Sequence, residues 1–155
     1  MKCFKNATVY VEGKGLTKCS VAFDERIEKI GACCKGDEIA LPEGAIVIPG
    51  FVDEHIHGAG GSDAMDGTVN DLKIIAETVA AEGTTSFLAT TMTQSKENIL
   101  KAMQAVKAYR EGECETGARV VGIHLEGPFI AAAHKGAQPL EYVATPDIEV
   151  FDKYN

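Results

Sequence analysis

The sequence predicts an α/β protein, and three observations support this class. From about residue 49 onward, strand-like and helix-like segments alternate along the chain. The strand-like segments are apolar and β-branched, as expected of buried parallel strands, and the connections are long enough for the crossover helices that parallel strands require. The 155-residue length, with 45% hydrophobic and 25% charged residues, is typical of a globular protein.

Residues 1–48 are predicted to form a small β region. The segments are short and β-branched, and glycine-containing turns separate them. They read NATVYVEG, TKCSVAF, ERIEKIG and GAIVIPG. None of these segments carries an obvious catalytic pattern, so we expect a structural sheet here and the catalytic residues after residue 48.

Residues 49–155 are predicted to hold the α/β region. Gly83 is expected to end the first helix and Ser95 to cap the start of the second. The predicted order is a strand at 51–57, a glycine-rich loop at 58–67, a helix at 69–82, a strand at 84–91, a helix at 95–110 and a strand from Ala118. An irregular tail follows. This order is the signature of right-handed parallel units.

The size of this region bears on what the chain can build. Three strands and two helices cannot close an eight-stranded (β/α) barrel, which needs about 200 residues or more. The alternatives are a small open sheet and the front part of a longer protein. We favour the longer protein, because the last residues, EVFDKYN, carry no recognisable ending signal.

Charge and cysteine content narrow the partners and the compartment. The net charge of −8 and the scattered basic residues predict no nucleic-acid binding and no membrane-surface binding, and no apolar run has the length of a membrane span. The cysteines show no C-x-x-C spacing, so we expect reduced thiols and a cytoplasmic protein, with a redox pair as the less favoured alternative for two adjacent cysteines. They are Cys3, Cys19, Cys33, Cys34 and Cys114.

The first predicted strand of the α/β region ends in two histidines. In PGFVDEHIHG, residues 49–58, His55 and His57 are two positions apart, and alternate side chains of a strand point to the same face. Neutral imidazole nitrogens at this spacing can share one metal ion. The carboxyl end of a parallel strand is also where α/β folds place their sites.

The third predicted strand repeats this geometry. In GIHLEG, His124 and Glu126 are again two positions apart, just before a glycine. The alternative is that the histidines are exposed or satisfied core residues and that Glu126 caps a turn. A carboxylate directly behind an apolar strand is costly unless it is paired or coordinated, so we predict that these groups converge on one pocket.

The glycine-rich loop at 58–67 has a different alternative reading. Such a loop between strand and helix can hold phosphate on backbone N–H groups, which would make the protein a small phosphate binder. The sequence HGAGGSDAMDG lacks both the dinucleotide fingerprint and the lysine of a P-loop. Because Asp63 and Asp66 would repel phosphate, we predict a flexible rim instead.

Three motifs together resemble a known family. PGFVDEHIHGAGGSDAMDGT, GIHLEGPF and HKGAQP are similar to segments of the N-acetylglucosamine-6-phosphate deacetylases in the amidohydrolase superfamily. The resemblance runs over essentially the whole chain but under half of the family's usual length. It implies a β-sandwich segment at 1–48, followed at 49–155 by the first three βα units of an incomplete metal-dependent-hydrolase TIM barrel.

The resemblance also implies an activity and a metal centre. The family removes the acetyl group of N-acetylglucosamine 6-phosphate in amino-sugar catabolism, yielding glucosamine 6-phosphate and acetate. Glu126 matches the metal-binding glutamate, and His55 with His57 match a pair that holds a second metal in some members. We therefore expect one or two divalent ions, zinc or iron, in a homo-oligomeric enzyme.

The matching positions include a departure from the family. Ala137 and Gln138 fall where the family contacts its substrate, and Gln138 stands where a histidine is usual. The two further histidine ligands, the catalytic base and the phosphate-binding groups are expected beyond Asn155, so no catalytic residue is assigned within the chain. The alternatives are another amidohydrolase that cuts a cyclic amide and a non-catalytic fragment that associates with other chains.

Overall fold

Strands and helices alternate as predicted in a computed structural model that describes residues 1–32, 35–112 and 116–154. The mixed α/β class is therefore observed. The chain divides into two compact units, Met1–Pro49 and Gly50–Asn155.

The Met1–Pro49 unit is a five-stranded sheet. Its strands are β1 (Lys2–Val11), β2 (Gly15–Phe23), β3 (Ile27–Gly31), β4 (Asp37–Glu38) and β5 (Ile46–Val47). β3, β2, β1 and β4 lie in that order, and β5 also pairs with β1. The pairs β1–β2 and β2–β3 are antiparallel, whereas β4 and β5 run parallel to β1. Alternate residues of β1 and β2 form its core, as period-two patterning requires: Ala7, Val9, Cys19 and Val21.

The Gly50–Asn155 unit is built around a three-stranded parallel sheet in the order β10-β9-β6, with helices in its connections. Its elements are β6 (Phe51–Ile56), the short hairpin β7 (Gly58–Ala59) and β8 (Ser62–Asp63), α1 (Val69–Ala81), β9 (Thr84–Thr90), α2 (Lys96–Glu111), β10 (Arg119–His124) and α3 (Ile148–Phe151). Short 3₁₀ turns occupy Ala64–Asp66, Ala132–His134, Leu140–Tyr142 and Asp152–Tyr154.

One apolar core joins α1 and α2 to the sheet. Leu72, Ile75 and Val79 come from α1 at helical spacing, and Phe87 with Ala89 come from one face of β9. Phe87 is 0% exposed. α2 begins at its expected cap: the Ser95 hydroxyl accepts a hydrogen bond from the backbone N–H of Asn98. The Thr68 hydroxyl, which was not predicted as a cap from the sequence, caps α1 in the same way by accepting from the N–H of Asp71. β9 thus lies at the centre of the unit.

The glycine-rich loop differs from the flexible rim that we expected. It forms the β7–β8 hairpin and a 3₁₀ turn closed by a capping box, in which Asp63 accepts from the N–H of Met65 and Asp66 accepts from the N–H of Asp63. The Nζ of Lys101 donates to the carbonyl of Asp66 at 2.7 Å. Hydrogen bonds within the loop therefore use the two acids that were expected to repel phosphate.

The cysteines also depart from expectation. Cys3 forms a disulfide, so the expectation of reduced thiols is wrong for this residue, whereas Cys19 is a buried free thiol. Pairing depends on which Cβ atoms the fold brings together, and sequence spacing does not reveal this. The proposed Cys33–Cys34 pair lies outside the described residues, as does Cys114. Among the described helices, none has the length and apolarity needed to cross a membrane.

Candidate metal centre

The two histidines of the first α/β strand project to the same side at the carboxyl end of β6. The Nε2 atoms of His55 and His57 are 3.4 Å apart. His55 is the more exposed of the two, and its ring packs edge-on against the ring of His124 at a centroid distance of 4.6 Å. Side-chain alternation along a strand accounts for this placement.

Glu126 reaches the same point from the other edge of the sheet. It lies two residues beyond the end of β10, and its Oε2 is 3.0 Å from the Nε2 of His55 and 3.0 Å from the Nε2 of His57. The three ligand atoms all lie within 4.8 Å of one another. The structure therefore brings together the three side chains that the sequence singled out as metal ligands.

The carbonyl of Thr90, at the end of β9, sets the tautomer of His57. It lies 3.3 Å from the Nδ1 of His57, and since a carbonyl only accepts, Nδ1 carries the proton of the neutral ring. The lone pair of His57 is then on Nε2, which faces Glu126. The Thr90 hydroxyl also accepts from the backbone N–H of Ile56 at 3.0 Å, so one buried residue of the central strand orients the end of β6.

These contacts leave the cluster rich in electron pairs. His57 offers the Nε2 lone pair and Glu126 offers Oε2, so the only hydrogen that can lie between the three groups is one on the Nε2 of His55. A cation would satisfy all three at once. Two ligands of a tetrahedral zinc ion at ordinary bond lengths are about 3.3 Å apart, which is close to the observed 3.0 and 3.4 Å.

The residues therefore fit a divalent ion. Imidazole nitrogen and carboxylate oxygen suit zinc and iron alike, so the donor set does not select between them. The side chains remain partly open, with 49% of His55, 33% of His57 and 29% of Glu126 exposed. Three protein ligands with an accessible side are the pattern of a catalytic rather than a closed structural site.

The predicted substrate-contact positions lie on a loop that folds back towards Glu126. Ala137 is exposed in a turn, whereas Gln138 is only 8% exposed. The Nε2 of Gln138 donates to the Oε1 of Glu126 at 2.6 Å, and its Oε1 accepts from the backbone N–H of Thr93 at 2.9 Å. His134, the nearby loop histidine, is exposed. Among the described residues, the group of possible ligands contains only His55, His57 and Glu126.

Sequence reasoning missed the supporting contacts around the ligands. Thr90 belongs to the segment 84–91, which the sequence predicts only as a buried strand, and Thr93 lies just after that segment. The Nδ1 of His124 donates to the carbonyl of Glu54 at 2.9 Å, because a carbonyl can only accept, so His124 links β10 to β6. The spacing of His124 from Glu126 in the sequence indicated a metal ligand, whereas in the structure His124 holds two strands together.

Gly127, the residue after Glu126, lies against the side chain of Thr93 and has no room for a Cβ atom. Its φ is +74°, and a Cβ there would overlap the side chain of Thr93. Gly136 is the matched control, because its φ is +60° and a Cβ there would meet nothing within 4 Å. Gly136→Ala should cost only the left-handed strain, about 1–2 kcal/mol. Gly127→Ala should cost about 1–3 kcal/mol more and weaken zinc binding, because it displaces Glu126 and Thr93.

Urea unfolding of the Gly50–Asn155 unit, followed by the amide signals of β9, measures the stability difference, and zinc titration measures the effect on the site. Equal losses of stability in the two variants, with unchanged zinc affinity, would show that the packing at Gly127 is not the constraint described above.

The chain is similar in sequence to proteins of known family. Residues 46–154 match the family described as Amidohydrolase family. The N-acetylglucosamine-6-phosphate deacetylase of Bacillus subtilis (strain 168) is 43% identical over 119 residues, which covers 76% of this chain and 30% of that protein. The chain thus spans less than a third of the length of this curated relative.

Solved structures show the same likeness in three dimensions. The crystal structure of N-acetylglucosamine-6-phosphate deacetylase from Thermotoga maritima matches with a TM-score of 0.80 and 28% identity, covering 97% of this chain and 39% of that one. A mutant of the Mycobacterium smegmatis deacetylase, in complex with N-acetyl-D-glucosamine-6-phosphate, matches with a TM-score of 0.76 and 25% identity, covering 99% and 39%.

Proposed function

The chain belongs to the amidohydrolase family, and from that premise we propose that it contributes the first metal ligands of an N-acetylglucosamine-6-phosphate deacetylase. The observation that carries the proposal is the convergence of His55, His57 and Glu126 at the carboxyl ends of two parallel strands. The 43% identity to the Bacillus subtilis deacetylase supports this choice among amidohydrolases.

The proposal includes a finer description of the fold. We infer that residues 1–48 are a β-sandwich segment and that residues 49–155 are the first three βα units of a TIM barrel. The parallel order β10-β9-β6 supports this, since successive strands of such a barrel are neighbours. In that fold the carboxyl ends of the strands carry the active site, and His55, His57 and Glu126 lie at that end.

The proposed metal ligands have defined tasks. Glu126, His55 and His57 would hold the divalent metal, zinc or iron and one or two ions, which when bound would supply Lewis-acid chemistry at the acetamide carbonyl and lower the pKa of a water molecule. The Thr90 carbonyl keeps the proton of His57 on Nδ1, so its Nε2 is free to coordinate. Glu126 supplies the negative charge that two neutral imidazoles lack.

The substrate contacts and the remaining chemistry complete the proposal. Ala137 and the second N–H of Gln138 are proposed to contact the amino sugar, since both lie on the loop next to Glu126. The base that takes the proton from water and returns it to the departing amine is placed outside these 155 residues, together with the phosphate-binding groups. We further propose that the enzyme is a homo-oligomer.

Acetate release from N-acetylglucosamine 6-phosphate tests the activity. The chain is supplied in turn with zinc and with ferrous iron, and N-acetylglucosamine without the phosphate serves as the matched substrate. We expect release that depends on metal and on the phosphate, from this chain alone or from a longer protein that contains it. Hydantoin, a cyclic amide, is assayed in parallel to test the competing amidohydrolase activity.

The outcomes separate the alternatives. Hydrolysis of hydantoin without acetate release would overturn the deacetylase assignment in favour of a cyclic amidase. A folded, metal-loaded 155-residue chain that releases no acetate would show that it is not a self-sufficient enzyme. If the longer protein is inactive as well, the deacetylase proposal is wrong.

A further inference from the structure

Gln138 is a buried polar side chain whose amide joins two parts of the centre. It is 8% exposed, and both ends of its amide are hydrogen-bonded: Nε2 to the Oε1 of Glu126 at 2.6 Å and Oε1 to the N–H of Thr93 at 2.9 Å. Thr93 is 0% exposed. A buried bridge of this kind is costly to break, because each group left behind would lack a partner.

Only one orientation of this amide satisfies its neighbours. The backbone N–H of Thr93 can only donate, so it must face the oxygen of Gln138. The NH₂ group is then directed at Glu126, whose ionised carboxylate can only accept. Thr93, which follows β9, therefore dictates which end of the Gln138 amide faces Glu126.

The bridge divides the work of the two carboxylate oxygens. Oε1 of Glu126 is occupied by Gln138, whereas Oε2 lies 3.0 Å from each histidine nitrogen. Because the donor is a neutral amide, it orients the carboxylate without contributing a positive charge that would compete with a cation. A lysine or arginine in its place would neutralise the ligand that the ion needs.

We propose that Gln138 is a positioning residue that holds Glu126 with a single oxygen, Oε2, directed at His55 and His57, and that Thr93 in turn holds Gln138. This inference rests on the proposed metal centre. It gives the glutamine a role that its position in the HKGAQP motif did not suggest, since there it was expected to contact the sugar. Freed from Gln138, Glu126 could rotate and offer both oxygens or neither.

Gln138→Met tests the role, because methionine has a similar length but cannot make either hydrogen bond. Gln104→Met is the matched control at an exposed position of α2. We expect zinc affinity, measured by calorimetry on the full chain, to fall by about 10- to 100-fold in Gln138→Met and to stay within about twofold in the control. The absorption spectrum of bound cobalt should also change only in Gln138→Met, since it reports ligand geometry.

Hydrogen exchange of the Thr93 amide gives a readout that needs no metal. It should accelerate in Gln138→Met and not in Gln104→Met, because only the first removes the acceptor of that N–H. Gln138→Asn is the second variant in case the methionine protein does not fold. Asparagine keeps a buried amide but is one methylene shorter, so it cannot span Thr93 and Glu126 together, and it should also weaken zinc binding.

The outcomes are distinct. Variants of Gln138 that bind zinc as the parent chain does, with an unchanged cobalt spectrum, overturn the positioning role and leave the metal centre intact. Unchanged exchange at Thr93 overturns the bridge itself. A parent chain that is folded but binds neither zinc nor cobalt overturns the three-residue metal centre, and with it this role for Gln138, whereas the proposed function is overturned by the absence of acetate release from the longer protein.

Discussion

Replacing Glu126 with glutamine is expected to abolish high-affinity zinc binding. The Oε2 of Glu126 lies 3.0 Å from the Nε2 of each histidine, and Glu126 carries the only formal charge among the three candidate ligands when the rings are neutral. In one of its two orientations, the new glutamine amide at position 126 would also place its NH₂ group against the NH₂ group of Gln138, where neither can accept a hydrogen bond. Loss of a residue that only hydrogen-bonds to a metal ligand lowers metal affinity by up to about 100-fold. Because Glu126 is a candidate ligand itself, we expect zinc affinity to fall by more than this.

Calorimetry and metal content of the purified chain measure this loss, and acetate release by the active protein should disappear with it. Glu82→Gln is the matched control, because Glu82 is an exposed acid that follows α1. It makes the same change of charge and should leave zinc binding unchanged. Normal metal content and turnover in Glu126→Gln would remove Glu126 from the ligand set.

Replacing Phe87 with alanine is expected to have the largest effect on stability. Phe87 lies on the central strand β9, is 0% exposed, and packs in the core that contains residues of α1, α2 and β10. Truncating a buried phenylalanine to alanine costs about 3–5 kcal/mol, because apolar burial is lost and a cavity remains. Against a total stability of about 5–15 kcal/mol for a typical domain, this would partly or fully unfold the Gly50–Asn155 unit.

Native-state hydrogen exchange of the β9 amides measures this change within the unit that carries it. A probe of the whole chain would mix two units, for which a single unfolding free energy is not well defined. Phe51→Ala is the control, because Phe51 is 57% exposed at the start of β6 and its loss should cost about 0.5 kcal/mol or less. Similar losses at Phe51 and Phe87 would contradict the core described here.

The arrangement of the three strands explains how distant residues meet. β6 and β10 are not neighbours; each pairs with β9, so they are about 10 Å apart at two strand spacings. Histidine and glutamate side chains are long enough to bridge this distance over the end of β9. The central strand itself contributes no candidate ligand. The Thr90 carbonyl at its end contacts His57, and the N–H of Thr93, just after the strand, holds Gln138.

The amino-acid sequence by itself determined the order of strands and helices and identified the candidate metal ligands. Both depend on local rules: hydrophobic periodicity separates strand from helix, and alternation along a strand puts His55 and His57 on one side. Glu126 could be singled out because a carboxylate behind an apolar strand needs a partner. Helix caps such as Ser95 are also local, and this prediction is confirmed.

Only the tertiary structure decided how these residues act on one another. β9 lies between β6 and β10, Thr90 sets the tautomer of His57, and Gln138 turns its amide towards Glu126. Each of these arrangements depends on contacts between segments that are far apart in sequence or joined by irregular loops. Such contacts depend on strand order, loop path and the need to satisfy buried polar groups, and no local periodicity encodes them.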